Sequence, residues 1–405
     1  MLAVIRVGVP LAALAASGHQ LPDLPHYAYG YRGDASGYYS TARAILSGAR
    51  ALGVAAGGLV VAVVGGLWLA FRISRRRQDR RPAALLGALV LLSVAAAAVI
   101  AAGDRGSVGA VGWPLLWAIP MAPLRVGELL SERSAFPFGL ALSLAANVLT
   151  LVAVAYAGLY ASGRRSVGVL GAALWALWPL LVGPVAGHAS WSNGTWEADT
   201  GLALYTEPVS TALCTCTIAL VLRPRLGSSG LVLAGFAAGY ATLTRPTNAL
   251  LVALVLAIIL LRRHVRAGWF AAGALTALPP YLAFLPKRHG YALSNSGKQG
   301  VFTGFSPHNV GPTFSESVLW GPRMLAVLLP PAIIGLAAVK ADAAMLLGGW
   351  VVLNTGFYAF VPMTAGAPRY LFAALPALLV LWSAGADAVV RALAARNPRP
   401  GTARR

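Results

Sequence analysis

Long apolar runs, broken by short arginine-rich turns, recur from one end of this chain to the other. A membrane-crossing helix needs roughly 20 apolar residues, with a range of about 17–25. Runs of that kind lie near 2–18, 53–71, 83–102, 137–161, 166–186, 206–222, 228–244, 248–261, 267–286, 324–339, 342–361 and 369–390. They predict an all-α polytopic membrane protein of about 12 transmembrane helices (11–13), one bundle over residues 1–390 with a basic tail at 391–405. The short runs between 206 and 261 set the spread in that count. Arg6, a short apolar stretch and Ala13-Leu-Ala15 have the outline of a cleavable signal peptide. Reading them instead as a retained first span makes the helix count agree with the charges of the loops.

Two stretches have a different pattern. After Asp34, the residues Tyr38, Ala42, Ile45, Ala49 and Leu52 recur at helical spacing, with Ser36, Ser40, Arg43, Ser47 and Arg50 on another face. This predicts an amphipathic helix of about four turns that lies on the bilayer rather than crossing it. The segment Trp113-Pro-Leu-Leu-Trp-Ala-Ile-Pro-Met-Ala-Pro123 is apolar, too short to span and interrupted by prolines, so it reads as re-entrant or interfacial.

Composition agrees with burial in lipid. Of 405 residues, 58% are hydrophobic and 11% charged, against about 25% charged in a soluble domain. The net charge of +20 does not form a basic domain with interleaved aromatics, so nucleic acid is not an expected partner. Alternating the runs from an inside N-terminus places 20 of the 32 basic residues in short inner turns and the tail, as the positive-inside rule requires. Nine of the twelve acids then lie outside. The expected localisation is the cytoplasmic membrane, with both termini cytoplasmic and long outer loops near 19–52, 103–136, 187–205 and 287–323. Cys214 and Cys216, two apart on a helix, point to different faces and suggest neither a disulfide nor a metal pair.

No Gly-x-x-x-x-Gly-Lys-Ser/Thr loop, His-Glu-x-x-His pair or Gly-x-Ser-x-Gly elbow is present, so nucleotide hydrolysis, zinc proteolysis and esterase chemistry lose their usual support. Scarce acids draw attention to Asp34, in Tyr31-Arg-Gly-Asp-Ala-Ser-Gly-Tyr-Tyr39. Its carboxylate suits a helix cap and equally a base held at the membrane surface. His188, Glu197, Asp199 and Glu207, with Trp191 and Trp196, gather acids and aromatic faces in one outer region. No tight metal-ligand spacing appears among them. Ser306-Pro-His308-Asn309 lies in the last long outer loop.

The short first span, the Gly33-Asp34-x-x-x-Tyr38-Tyr39 loop and the interfacial helix together resemble the start of the C-type glycosyltransferases. Three further stretches are similar in order: Trp113–Pro123, Thr244-Arg-Pro-Thr-Asn248 and Gly366-Ala-Pro-Arg-Tyr-Leu371. The resemblance implies a polyprenyl-phosphate sugar donor, a lipid, glycan or protein acceptor, and an inverting transfer in which Asp34 takes or orients the acceptor proton. It implies fixed cations for the donor phosphate, for which Arg245, Arg369, Lys287 and Arg288 are candidates beside their ordinary role as head-group contacts. Tyr38, Tyr39, His188, Glu197, Asp199, Glu207, His308, Asn309 and Tyr370 become candidates for the substrate cavity. Gly33 stands where many relatives carry a second acid. The resemblance implies a transfer that needs no cofactor, with a divalent metal an option without an assigned ligand set. The rival readings are a secondary transporter, which twelve spans would suit, and a non-catalytic or ligase-type membrane protein.

Overall fold

A computed structural model describes residues 1–16, 34–53, 58, 61–66, 68–69, 72, 80–105, 111–121, 132–186, 206–261, 266–287, 305–316, 322–360 and 367–396. Among them every regular element is helical. The order begins α1 (Leu2–Ala16), α2 (Asp34–Leu52), α3 (Arg81–Ala102), α4 (Gly112–Met121), α5 (Glu132–Ser162) and α6 (Arg165–Ala186). It continues with α7 (Glu207–Leu222), α8 (Ser228–Thr244), a 3₁₀ turn at Pro246–Asn248, α9 (Ala249–Leu261), α10 (Ala267–Leu275) and α11 (Leu278–Phe284). The last elements are α12 (Val310–Glu316), α13 (Pro322–Ala338), α14 (Ala341–Ala359), a 3₁₀ stretch at Ala367–Ala374 and α15 (Leu375–Arg396). Among the described residues three stretches, Arg81–Ala102, Pro137–Ser162 and Leu371–Arg396, are long and apolar enough to cross a membrane. Arg165–Leu181, Glu207–Leu222, Pro246–Leu261 and Arg323–Ala338 are shorter apolar helices.

The main packing partners are α13 with α15, α8 with α10, α5 with α7, and α7 with α8. Small residues let helix backbones approach closely. Gly235 and Gly239, four apart on α8, meet the carbonyls of Phe270 and Ala274 on α10, and a Cβ at either would collide with backbone. The larger core joins α5 through α10 to α13–α15 around Trp175, Phe270, Trp350 and Phe372. A second cluster, around Tyr39, Trp113, Trp117 and Met121, joins α2 and α4 to the start of α7 and the end of α8.

The helix ends meet in two sets. At one end, the Lys340 N–H donates to the Ala161 carbonyl (3.1 Å) and the Lys340 ammonium to that of Tyr160 (3.1 Å), which joins the α13–α14 turn to the end of α5. There Arg164 and Arg391 both pair with Asp387 at 2.9 Å, and the Ser166 hydroxyl donates to it at 2.8 Å. At the other end lie the start of α7, the α8–α9 turn, the end of α14 and the 3₁₀ stretch before α15.

Three expectations change. The run 267–286 is not one helix: it breaks at Thr276 and Ala277, just before Pro279 and Pro280, neither of which has an N–H to continue the ladder. Its first half packs on α8 and its second on α3. Helix α2 packs on α3 and α4, with Tyr38, Ala42 and Ile45 buried in protein rather than facing a bilayer. Ser47, expected on its polar face, accepts the Asp104 N–H at 2.9 Å and so ties α2 to the end of α3. Arg6, in the first apolar run and counted with the inner basic residues, is 1% exposed inside the bundle. Its guanidinium donates to Asn147 Oδ1 at 2.8 and 3.1 Å and to the Trp175 carbonyl at 3.3 Å, and lies 4.3 Å from the Trp175 ring centroid.

Candidate functional site

Arg245 precedes Pro246, and a residue before proline is pushed out of the α region. Arg245 duly sits at φ −149°, ψ 113°, which ends α8 and swings its side chain across the turn. Its partner comes from the first turn of α7, where Pro208 suits a helix start and Glu207 meets the positive end of the helix dipole. Arg245 Nη2 approaches Glu207 Oε1 at 2.6 Å, and its Nε–H donates to Thr206 Oγ1 at 3.0 Å. The Glu207 side chain is 2% exposed and that of Arg245 13%. Burying such a pair costs several kcal/mol of desolvation per ion, which only good geometry and added hydrogen bonds offset. Thr206 adds one, its hydroxyl lying 3.4 Å from Glu207 Oε2.

The rest of Thr244–Asn248 is used as closely. The Thr244 hydroxyl donates to the Ala241 carbonyl at 2.7 Å. The Asn248 amide donates to that carbonyl and to Ser210 Oγ, both at 2.8 Å, and so clamps the turn onto α7. Thr247 Oγ1 and the Tyr358 hydroxyl lie 2.7 Å apart, which brings in the end of α14. From there the chain of contacts runs to Ser306–Asn309. The Ser306 N–H and the Asn309 amide both donate to the Phe360 carbonyl, at 2.9 and 2.8 Å, and Phe305 stacks on Phe360 with ring centroids 5.1 Å apart.

Three stretches singled out in the sequence therefore meet at one end of the bundle, with the fourth helix behind them. Gly112, at the start of α4, lies against Leu243 and Thr244, where a Cβ would come within 2.6 Å of the Thr244 nitrogen. The Tyr240 hydroxyl donates to the Gly112 carbonyl at 3.0 Å. Helix α2 packs on α4 through Tyr39, whose ring meets that of Trp117 edge-on at 5.9 Å. The 3₁₀ stretch Ala367–Ala374, which carries Arg369 and Tyr370, packs on α7 and α14.

The individual candidates are placed unevenly. Glu207 and Arg245, read separately as a cavity acid and a phosphate ligand, are partners. Tyr38 and Tyr39 are 9% and 1% exposed and pack in the second core, so their rings support α2 rather than line an open cavity. His308 is exposed and Asn309 half-buried. Asp34 opens α2, but its side chain, like those of Lys287, Arg369 and Tyr370, lies outside the described residues, as do Arg288, His188, Glu197 and Asp199 entirely. Among the described residues no three His, Cys, Asp or Glu side chains are grouped to hold a metal ion. Cys214 and Cys216 are free thiols.

Sequence reasoning did not single out Thr206, Ser210 or Tyr358. All three sit where an apolar run begins or ends, and polarity at a span boundary was the available signal. The described helices define an all-α protein with helices of membrane-spanning length and polarity. No protein-family model, characterised protein or solved structure matches the chain.

Proposed function

We propose that this protein is an integral-membrane glycosyltransferase of the C type. It would move a sugar from a polyprenyl-phosphate donor to an acceptor at the outer face of the cytoplasmic membrane, through about twelve spans. The observation that carries this reading is the placement of Thr244–Asn248 against the start of α4 at Gly112 and beside the buried Glu207–Arg245 pair, with the 3₁₀ stretch Ala367–Ala374 packed on α7, the helix that bears Glu207. Those segments are distant in sequence and were singled out for their resemblance to one family.

In this reading Asp34, at the start of α2, takes or orients the acceptor proton, a contribution of typically 10²–10⁴-fold. The sugar leaves with inversion, and the bond to the lipid phosphate breaks. Arg369 is the better candidate for the developing phosphate charge. Arg245, with its charge matched by Glu207, shapes the site by fixing the α7–α8–α9 junction. No metal is needed for this division of roles, and a divalent ion is compatible with it.

One observation favours the rival transporter reading. Asn147 and Trp175, the partners of Arg6, lie about 22 Å and 15 Å along α5 and α6 from the turn that joins those helices, at 1.5 Å per residue. An arginine at that depth is the usual mark of a substrate or ion pathway. Purified protein in liposomes separates the two. Sugar transfer from a polyprenyl-phosphate donor supports the enzyme; solute uptake without turnover supports the transporter.

A further inference from the structure

At the end of the bundle opposite the Glu207–Arg245 pair, a cavity of about 290 Å³ opens between four helix ends. Helix α7 ends beside it and α9 contributes Ile259, while α8, α10 and α14 begin beside it with Leu226, Arg266 and Asp342. Three arginines, Arg223, Arg225 and Arg266, line it together with one acidic residue, Asp342. All three arginines are exposed, and the remaining lining is apolar. Three helix N-termini beside one cavity add their positive dipole ends to the arginine charge.

We propose that this cavity binds the phosphate-bearing headgroup of an anionic glycerophospholipid from the leaflet at that end. Three features favour a lipid over a soluble anion. The lining beyond the arginines and Asp342 is apolar, as a headgroup joined to acyl chains requires. Leu260 and Leu261, next along α9, are 61% and 78% exposed and continue that apolar surface outward. The volume is at the small end of ligand pockets, which run about 300–1,000 Å³, so it accepts a headgroup with the chains left outside. Basic pockets between membrane helices recognise anionic headgroups in this way. The proposal concerns the opposite end from the transfer site, and it stands whether or not that reading does.

The test uses the full chain in detergent, with native mass spectrometry in equimolar phosphatidylglycerol and phosphatidylcholine. The wild type should retain phosphatidylglycerol at least about tenfold over phosphatidylcholine, and millimolar glycerol phosphate should not displace it. The double variant Arg223→Gln/Arg266→Gln should lose that preference. Arg164→Gln/Arg391→Gln, which removes as many charges at the same end, should keep it. Asp342→Asn, which removes the one carboxylate, should strengthen it, and this variant also decides the matter if the arginine double variant fails to fold. Equal preference in both double variants, displacement by glycerol phosphate, or no gain from Asp342→Asn overturns the proposal.

Discussion

The two ends of the bundle hold their charges in opposite ways. At one end Glu207 and Arg245 are nearly sealed from solvent, 2.6 Å apart, with Thr206 on both. At the other, Asp387 bridges Arg164 and Arg391, whose side chains are 40% and 48% exposed. A buried pair is costly to form and costlier to break, because removing one partner strands a charge. An exposed pair, screened by water, is worth about 0–1 kcal/mol. The chain thus has one end that must keep a single arrangement and another where charge is spread over a solvated surface. Fixed geometry is what a reacting centre requires, and a solvated cationic rim is what a lipid surface meets.

The largest predicted effect breaks the buried pair. Arg245→Ala or Glu207→Ala should destabilise the protein by about 3–5 kcal/mol, read as thermal unfolding in detergent. The double change Glu207→Gln/Arg245→Met should recover most of that loss, since no charge is then stranded. A single variant as stable as the wild type would mean the pair is open to water. Next in size is Gly112→Ala. Its Cβ meets backbone at Thr244, and overpacking of this kind costs about 1–3 kcal/mol. Limited proteolysis should find the α8–α9 turn more susceptible, whereas an unchanged digestion pattern would separate α4 from the junction.

How far the sequence reached is best judged at particular elements. Apolar length was enough to bound α8, read as 228–244 and found at Ser228–Thr244, because a Gly227 entry and the Arg245-Pro246 exit leave little choice. Length failed at 267–286, where hydropathy is blind to a kink that the missing N–H groups of Pro279 and Pro280 impose. Hydropathy also cannot tell protein from lipid as the apolar partner, so the buried face of α2 was visible but its docking on α4 was not. Arg6 was misread for a related reason: the positive-inside rule counts charges by position in the chain, and a side chain that finds Asn147 and Trp175 leaves that count. At the candidate site, Arg245 and Glu207 were each legible as unusual charges at a span end. Their pairing was not, since 38 residues separate them.

Smaller effects sharpen the contrast between the ends. Tyr358→Phe should remove the hydroxyl contact with Thr247 and cost about 1 kcal/mol in thermal unfolding. Asp387→Asn should cost no more than about 1 kcal/mol despite touching two arginines, because both are well solvated. A larger loss at Asp387 than at Tyr358 would contradict the division of the two ends.

The central claim, that the end holding Glu207 and Arg245 carries out sugar transfer, is tested most directly at Asp34. Asn caps or opens a helix about as well as Asp, but it cannot accept a proton. In liposomes supplied with a polyprenyl-phosphate sugar and acceptor, the wild type should transfer. Asp34→Asn should insert and unfold like the wild type while its turnover falls by about two orders of magnitude or more. Near-normal transfer by the Asn variant, or solute uptake with no transfer by the wild type, would contradict the account.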